Sequence, residues 1–451
     1  MKSNLDLPAS LAELGPALRA GRITSVELVQ AAVRRHEATG GSYGAYVNFD
    51  ADRALDAARN ADLAFQRGED RGPLQGLPVS VKDLFGVEGY PTYAGSSRQL
   101  PVKWEREGPV VRQLHDQLAV IMGKTHTVEF AFGGLGTNPH WPTPHNPCDP
   151  SHPRVPGGSS SGAGVSLLAG SAVIALGTDT AGSVRIPASM TGNVGLKTTY
   201  GRWSTEGVVP LSPSLDSVGL LARTVDDLAA AFAGLDTEGT LPSPRPIAQL
   251  RFRVLEEVVW DSLSPGVASR VRAALDQLEA AGARVETVSF PHAEEAIDLL
   301  RTGGLAAPEF REFIHRELPE WQSEIDPFVW QRVEAAGDLS ADAVAKRQAH
   351  VAELSASARQ ILEGWDGLLA PTVAITPPRL DEIDQLDAYR TANLLALRNT
   401  SLANFLGQCA VTLPVGNDEA GMPVGLQIMG PGRTDAALIA IAQSIAPIVS
   451  S

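Results

Sequence analysis

The chain has 451 residues, and its hydrophobic content of 43% is ample for a large buried core. Its 52 acidic residues outnumber the 37 basic ones, which gives a net charge of −15. A polyanion would be repelled by nucleic acid and by anionic membrane surfaces. The composition therefore argues against nucleic-acid and membrane partners and favours a soluble protein.

Cysteine content and apolar runs indicate the compartment. The two cysteines, Cys148 and Cys409, are too few for a disulfide framework and suit a reducing compartment. Residues 1–6 contain no basic region followed by an apolar core, so no signal peptide is expected. No apolar run reaches the roughly 18 residues of a membrane span. We expect a cytoplasmic protein.

The first part of the chain has helical periodicity. Apolar residues recur at helical spacing in Leu11–Arg19 and Ser25–Glu37, which predicts two helices. Between them, Gly21–Ser25 supplies a glycine stop and an N-cap. Asp52–Gly68 predicts a further amphipathic helix whose charged residues face solvent.

The next segment alternates between strand and helix patterns. Gly76–Val81 has the alternating pattern of a strand and leads directly to Lys82. Val110–Leu118 predicts a helix and Val120–Lys124 a strand. The glycine-rich Glu129–Gly136 predicts a flexible loop.

Three histidines and a cysteine, His140, His145, Cys148 and His152, then lie close together. Such a group could be taken for a zinc site, but its spacing matches no standard zinc pattern. The same segment is rich in proline, which predicts a stiff surface loop. We therefore expect no bound metal.

Two clusters of small residues form the centre of the sequence. The first, Val155–Gly164, reads VPGGSSSGAG, and the second, Gly177–Pro187, reads GTDTAGSVRIP. Between them, Val165–Leu176 has the pattern of a buried helix that turns into a strand. That connection would bring the second cluster back to the first.

The remaining chain predicts more of an α/β sheet. A helix is expected over Val225–Phe232, and Phe252–Phe290 has the pattern of a strand, a helix over Val267–Ala281 and a second strand. Residues 293–364 are mostly helical. Three apolar strands follow, over Leu368–Thr372, Ala410–Val415 and Val424–Met429.

The glycine-rich clusters suggest nucleophilic catalysis. Glycines let several backbone N–H groups converge on one point, and serines among them are candidate nucleophiles. A serine needs a base, yet the first histidine after Ser183 is His292, which lies in no recognisable motif. A lysine whose pKa is lowered by burial can replace it, and Lys82 follows an apolar strand.

Two other motifs fit the first cluster poorly. Gly158–Gly162 matches the Gly-x-Ser-x-Gly nucleophile elbow with Ser160 at its centre. That elbow must follow a strand, whereas prolines precede this segment, and no downstream Asp and His have a convincing context. A phosphate-binding loop is weaker still, because no Gly-Lys-Ser/Thr follows the glycines.

At these residues the chain resembles the amidase signature family, the Ser-cisSer-Lys amide hydrolases. The resemblance rests on Gly76–Asp83, Pro156–Gly164 and Gly177–Arg185, continued through Gly195–Arg202 and Ser214–Gly219. The motifs stand in the family's order, and the resemblance covers nearly the whole chain. It implies an α/β fold in which helices surround a central mixed β-sheet.

The resemblance also assigns the reacting groups. It implies that Ser183 is the nucleophile, Ser159 a bridging serine on a cis peptide bond, and Lys82 the terminal base. Ser183 lies 24 residues after Ser159, which matches the family's spacing. The backbone N–H groups of Thr180, Ala181, Gly182 and Ser183 would hold the oxyanion.

Four further residues would support this triad. The resemblance implies that Thr178 and Ser161 orient the lysine and the cis-serine, whereas Asp179 and Arg185 are structural brackets. Asp216 is expected to be a polar anchor for the catalytic loops. Ala181 departs from the family's commoner Gly-Gly-Ser pattern, and its methyl group would restrict positive φ and narrow the pocket.

Substrate contacts are implied less directly. In the family, the loop equivalent to 129–136 lines the acyl or amide pocket, which makes Ala131 and Gly133 candidate contacts. The helical region of about 293–364 corresponds to the family's variable, substrate-selecting part. We expect residues 1–451 to form a single amidase domain without a metal or an organic cofactor, and the resemblance allows a homodimer.

The expected function is hydrolysis of a C–N bond through an acyl- or carbamoyl-enzyme. The substrate would be a small-molecule amide, aryl amide, ureide or carbamate (urethane). One alternative is a glutamyl-tRNA amidotransferase A-like subunit that needs a partner enzyme. A second is a non-catalytic binding protein on the same fold, which is disfavoured because Lys82, Ser159 and Ser183 are all present.

Overall fold

The architecture follows from a computed structural model that describes residues 10–39, 41, 43–337 and 340–449. Within them the strands form one mixed sheet of eleven. Their bounds are Tyr46–Phe49 (β1), Pro78–Lys82 (β2), Val120–Thr125 (β3), Ile174–Asp179 (β4), Val194–Lys197 (β5), Ser217–Ala222 (β6), Arg251–Leu255 (β7), Arg284–Val288 (β8), Gly367–Pro371 (β9), Cys409–Asn417 (β10) and Pro423–Gly430 (β11).

Helices surround this sheet, so the predicted fold class is confirmed. Their bounds are Leu11–Arg19 (α1), Ser25–Ala38 (α2), Ala51–Gln66 (α3), Pro109–Asp116 (α4), Ser161–Leu168 (α5), Arg185–Met190 (α6), Val225–Leu235 (α7), Pro265–Ala280 (α8), His292–Arg301 (α9), Ala306–Glu317 (α10), Pro327–Glu334 (α11), Ala341–Ile361 (α12), Leu386–Phe405 (α13) and Asp435–Val449 (α14). None of these described helices is both long and apolar enough to cross a membrane.

The order of strands in the sheet is β1-β3-β2-β4-β6-β5-β10-β11-β9-β7-β8. β2 pairs in parallel with both β3 and β4. Because parallel strands end at the same edge of a sheet, Lys82 and the end of β4 come together there. A second parallel group, β8-β7-β9, lies at the other side of the sheet and contains the predicted strand–helix–strand unit.

Local signals in the sequence explain the N-terminal helices. Gly21 adopts φ 63° just after α1, where a residue without a side chain is favoured. Thr24 caps α2: its hydroxyl accepts from Glu27 N–H at 3.1 Å, and Glu27 Oε2 accepts from Thr24 N–H at 2.9 Å. The predicted stop and cap are therefore confirmed.

Several segments differ from the sequence predictions, and strands β1, β5 and β6 and helix α14 were not predicted. Residues 129–136, predicted as a flexible loop, include the wholly buried Glu129, Phe130 and Leu135 and form a turn of 3₁₀-helix over Glu129–Ala131. Helix α13 was not predicted at all. Residues 1–6, on which the signal-peptide expectation rests, lie outside the described residues, and the single-domain assignment stays a prediction.

A buried glutamate joins the helical region to the loop before β6. Glu309, on α10, accepts hydrogen bonds from Ser212 Oγ at 2.7 Å, Ser214 N–H at 3.0 Å and Ser214 Oγ at 2.5 Å. Buried hydroxyls that lose such a charged acceptor keep the full cost of desolvation. Glu309 therefore fixes the position of α10 relative to the sheet.

Replacing this glutamate tests that connection. Glu309→Ala should lower the free energy of unfolding by about 2–4 kcal/mol, because the Ser212 and Ser214 donors and Gln348 Nε2 lose their acceptor. The urea midpoint measures the change. Glu312→Ala, on the same helix but with a side chain 71% exposed, is the matched control and should shift stability by less than about 0.5 kcal/mol. Equal midpoints for the two variants would contradict this role of Glu309.

Candidate active site

Lys82 lies at the edge of the sheet where β2 and β4 end. Val81 stands opposite Leu176 in the parallel pair, so the residues that follow each reach the same place. Lys82 Nζ donates to Ser159 Oγ at 2.7 Å and to Thr178 Oγ1 at 2.8 Å. The lysine side chain is wholly buried. Strand register thus brings an amine against two hydroxyls.

Burial determines the charge of this lysine. Desolvation lowers the pKa of Lys82 from its ordinary 10.5 to about 7, although the charges of Asp216 and Asp179 act to raise it. Among the described residues, no carboxylate forms an ion pair with Nζ. Around neutral pH a large share of the lysine is therefore uncharged. A neutral amine has a lone pair that can accept a proton, which an ammonium lacks.

The first small-residue cluster presents Ser159 to this lysine. The peptide bond between Gly158 and Ser159 is cis. The Ser159 carbonyl accepts from Val128 N–H at 3.1 Å and from Ser161 N–H at 2.8 Å. The Ser161 hydroxyl contacts Nδ1 of His126 at 3.3 Å. Burial lowers the pKa of His126 to about 4, so this imidazole is neutral.

Ser183 stands in the loop that joins β4 to α6. Ser160 N–H donates to the Ser183 carbonyl at 3.2 Å, which holds the two small-residue clusters together. Among the hydrogen bonds of the described residues, none joins the hydroxyls of Ser159 and Ser183. The structure thus unites Lys82, Thr178 and Ser159 directly, and it brings Ser183 beside them through the backbone.

Asp179 shapes the loop that carries Ser183. Its carboxylate accepts from Gly182 N–H at 2.8 Å and from Val184 N–H at 3.2 Å. Gly182 adopts φ 130°, and a Cβ there would lie 2.1 Å from Thr400 Oγ1, so only glycine fits. The positive φ falls on this glycine and not on Ala181, so the expected conformational penalty of the alanine does not arise.

The expected oxyanion donors are not all equivalent. The Gly182 N–H is already engaged by Asp179, and Gly182 does not line the cavity described below. Thr180, Ala181 and Ser183 do line it. All four oxyanion donors stay predictions, although the Gly182 N–H is shared with Asp179.

Asp216 anchors the loop before β6 to the loop that follows β4, in agreement with its expected role as a polar anchor. Its carboxylate accepts from the Thr180 hydroxyl at 2.5 Å and from the N–H groups of Leu211 and Ser212 at 2.9 and 3.0 Å. Burial raises the pKa of Asp216 to about 6. The contact fixes the first residue of the candidate oxyanion loop.

Arg185 and Asp179 form a wholly buried ion pair beneath the same loop. Arg185 Nη2 and Nε donate to Asp179 Oδ1 and Oδ2 at 3.0 and 3.1 Å. The other donors reach the Thr400 carbonyl, Asn404 Oδ1 and Gln427 Oε1 at 2.7, 2.7 and 3.0 Å. The pair therefore brackets the loop against α13 and β11, and Arg185 holds the pKa of Asp179 at about 2 despite its burial.

A cavity of about 370 Å³ opens above Ser183 and is mostly apolar. Ala131 and Gly133, the candidate substrate contacts, both line it. Phe130 and Ala131, beside the cavity, adopt φ 44° and 61°. Positive φ is uncommon for residues other than glycine, and such conformations are often found at active sites. The cavity is of a size that suits a small organic molecule.

Helix α13, absent from the sequence prediction, supplies much of the site. Tyr389 and Asn393 in its first half and Leu397 just past its middle line the cavity. Its second half braces the Ser183 loop, because Thr400 Oγ1 donates to the Ala181 carbonyl at 2.7 Å and Asn404 Nδ2 donates to Asp179 Oδ1 at 3.0 Å. The polar residues 393, 400 and 404 fall on one helical face, a signal that the sequence contains.

The loop of three histidines and a cysteine does not converge on one point. His140 contacts Glu129 at 2.9 Å, Cys148 donates weakly to the Thr191 carbonyl at 3.8 Å, and His152 contacts Asp149 at 3.5 Å. The described residues contain no group of three or more His, Cys, Asp or Glu side chains that could hold a metal ion.

Comparison with known proteins identifies the family. The family model named Amidase matches residues 27–439, most of the chain. The chain belongs to the amidase family. Amidases of this family are hydrolases that act on C–N bonds, and this chain is therefore a hydrolase of the same kind.

Individual relatives align with nearly the whole length of this amidase. The 2-amino-5-chloromuconic acid deaminase of Comamonas testosteroni is 50% identical over 443 residues, which are 98% of this chain and 96% of the relative. The glutamyl-tRNA(Gln) amidotransferase of a Chloroflexus aurantiacus strain has an A-type subunit that is 35% identical, over 94% of this chain and 93% of the relative. A crystal structure of an amidase superposes with a TM-score of 0.89 at 33% identity, covering 98% and 100% of the two chains.

The lowered pKa of Lys82 predicts how the free energy of unfolding depends on pH. Between about pH 7 and pH 10.5, the unfolded chain binds a proton at Lys82 that the folded protein does not hold. The free energy of unfolding of the native protein should therefore rise with pH in this window relative to Lys82→Met. Denaturant titrations at several pH values measure the difference. As a control, the difference in free energy of unfolding between the native protein and Lys103→Met, which changes a half-exposed lysine, should not vary with pH. Parallel curves for the native protein and Lys82→Met would refute the lowered pKa.

Proposed function

We propose that this amidase hydrolyses the C–N bond of a small molecule through a Ser-cisSer-Lys triad, with Ser183 as nucleophile, Ser159 as bridge and Lys82 as base. The observation that carries the proposal is the 2.7 Å hydrogen bond between Ser159 and a wholly buried lysine whose pKa is lowered to about 7. A base poised near the working pH is the most effective one.

In the first half-reaction, Ser183 Oγ attacks the carbonyl carbon and a C–O bond forms. The Ser183 proton passes to Ser159 as Ser159 gives its own proton to neutral Lys82. The candidate donors Thr180, Ala181 and Ser183 N–H would hold the oxyanion. Catalytic hydrogen bonds often tighten only when substrate is bound, which accounts for a Ser159–Ser183 bond that forms during the reaction.

The C–N bond then breaks as the proton returns from Lys82 through Ser159 to the leaving nitrogen. The amine or ammonia departs and leaves an acyl- or carbamoyl-enzyme on Ser183. A water molecule attacks this ester carbonyl and gives up its proton along the same path. When the proton returns to Ser183, the acid is released and the enzyme is regenerated.

The cavity favours small substrates. Its volume of about 370 Å³ is near the lower end of the range for small-molecule sites. The substrate classes to test are amides, aryl amides, ureides and carbamates, with urethanase activity included. The name of the Comamonas relative adds 2-amino-5-chloromuconic acid to this list. We propose that the protein acts in the cytoplasm without a metal or an organic cofactor.

Removing the nucleophile tests the proposal. Ser183→Ala should lower kcat by at least about 10⁴-fold on every substrate that the native amidase accepts, because no covalent intermediate can form. Release of free amine or ammonia is the measurement. Ser269→Ala, an exposed serine on α8, is the control and should retain full activity. Undiminished turnover in Ser183→Ala would exclude Ser183 as the nucleophile.

The charge of Lys82 predicts the pH profile. Because the base must be neutral, kcat/KM of the native amidase should rise with pH and level off above about pH 7. Lys82→Ala should lose that rise, and its rate deficit should be largest near neutral pH, where hydroxide is scarce. Initial rates between pH 5 and 9 give both profiles. A native profile that is flat through this range would contradict a lysine base.

The amidotransferase A-like alternative is supported by relatives such as that of Chloroflexus. A protein of that kind should show little amide hydrolysis when it is purified alone. A free-standing amidase should instead release ammonia or amine from small substrates without a partner. Activity of the isolated chain in a screen of amides, ureas and carbamates therefore distinguishes the two.

A further inference from the structure

The charged side chains that line the cavity are all cationic. They are Arg301, Arg332 and Arg390, and the described lining contains no Asp or Glu. The chain as a whole carries 52 acidic and 37 basic residues, so its overall charge has the opposite sign. A low-dielectric cleft lined by one sign of charge concentrates ions of the other sign. The cavity is therefore suited to an anionic ligand.

Two of these arginines have acidic neighbours and reach solvent. Arg301 donates to Asp298 at 2.7 Å, and its side chain is 49% exposed. Arg390 lies 4.0 Å from Asp387, and its side chain is 48% exposed. Each therefore has both water and a carboxylate of its own helix within reach. They add to the positive field of the cavity mouth without requiring a ligand.

Arg332, on α11, is different. Its Nε is buried and has no hydrogen-bond partner in the described part of the chain. The guanidinium lies 4.8 Å from the centre of the Phe132 ring, and Nη2 donates to the Phe132 carbonyl. No ion pair with a carboxylate is formed among the described residues. Burial acts to lower the pKa of this arginine, whereas Tyr389 and Asp326 act to raise it without forming an ion pair with it.

A largely desolvated cation without an ion-pair partner is costly, and so is a buried N–H donor without an acceptor. Both deficits would be removed by one carboxylate, because the planar guanidinium offers two parallel N–H donors that match its two oxygens. Arg332 and Ser183 line the same cavity, so a molecule bound to the first can reach the second.

We propose that Arg332 binds a carboxylate of the substrate, so that this amidase selects small anionic C–N compounds over neutral ones. The proposal rests on the proposed function and adds the substrate class. Arg332 would fix the orientation of the substrate through its acid group while Ser183 attacks the carbonyl at its other end.

Matched substrates test this selectivity. Succinamic, glutaramic and adipamic acids each carry one carboxylate and one primary amide, and the corresponding diamides are neutral molecules of nearly the same shape. The native amidase should prefer at least one of the acids over its diamide by about 100-fold in kcat/KM, because its site would otherwise leave a buried charge unpaired. Equal rates on acids and diamides would overturn the carboxylate site and leave the proposed function intact.

Variants of Arg332 separate recognition from structure. Arg332→Gln should lower kcat/KM for the acids by about 100-fold and change that for the diamides by less than about threefold, and Arg332→Lys should be intermediate, since it keeps the charge but loses the fork. A merely structural role would depress both substrate series equally, which would reject the proposal. Arg316→Gln, at an exposed position on α10 that does not line the cavity, is the matched control and should retain the preference.

A binding measurement makes the outcome independent of turnover. Calorimetric titration of succinate, glutarate and adipate into the native chain should detect at least one ligand, and Arg332→Gln should weaken its binding by about 100-fold. Binding that depends on Arg332 without hydrolysis of any tested substrate would reject the proposed function alone. Hydrolysis of neutral amides with no dicarboxylate binding would reject the carboxylate site alone.

Discussion

The candidate active site depends on the buried ion pair between Asp179 and Arg185. Arg185 uses all five of its N–H donors, on the aspartate, on two groups of α13 and on one side chain of β11. Satisfying every donor is the condition under which a buried charge is tolerated. Asp179 in turn holds two backbone N–H groups of the Ser183 loop. The loop can therefore take only one shape relative to the sheet.

Around this pair, the site separates charges that are compensated from one that is not. Asp83 and Lys124 form a second buried ion pair, at 2.9 Å, where β2 and β3 lie side by side. Lys82 is left with hydroxyl partners instead of a carboxylate. At this edge of the sheet, Lys124 is thus paired with a carboxylate, whereas Lys82 Nζ donates to hydroxyls and can lose its proton more easily.

Local pattern predicted strands β2 and β3 and the small-residue clusters, and the resemblance to the amidase signature family predicted the contact between Lys82 and Ser159. Helix α13 escaped prediction because its polar residues resemble a solvated face, and only contact with Asp179 and Ala181 explains their burial. Arg332 escaped for a similar reason, since an arginine on a short amphipathic helix ordinarily faces water. Its burial comes from packing against Phe132, far away in the chain.

Different turns of α13 contact the cavity and the Ser183 loop, and this division affects what substitutions in the helix can change. Residues near Tyr389 and Asn393 touch the cavity and its neighbouring loop, whereas Thr400 and Asn404 hold the backbone of the Ser183 loop. Substitutions in the first two turns of the helix can therefore change the cavity without removing the hydrogen bonds to this loop. One continuous helix in this way lets the shape of the cavity vary while the backbone around Ser183 keeps its position.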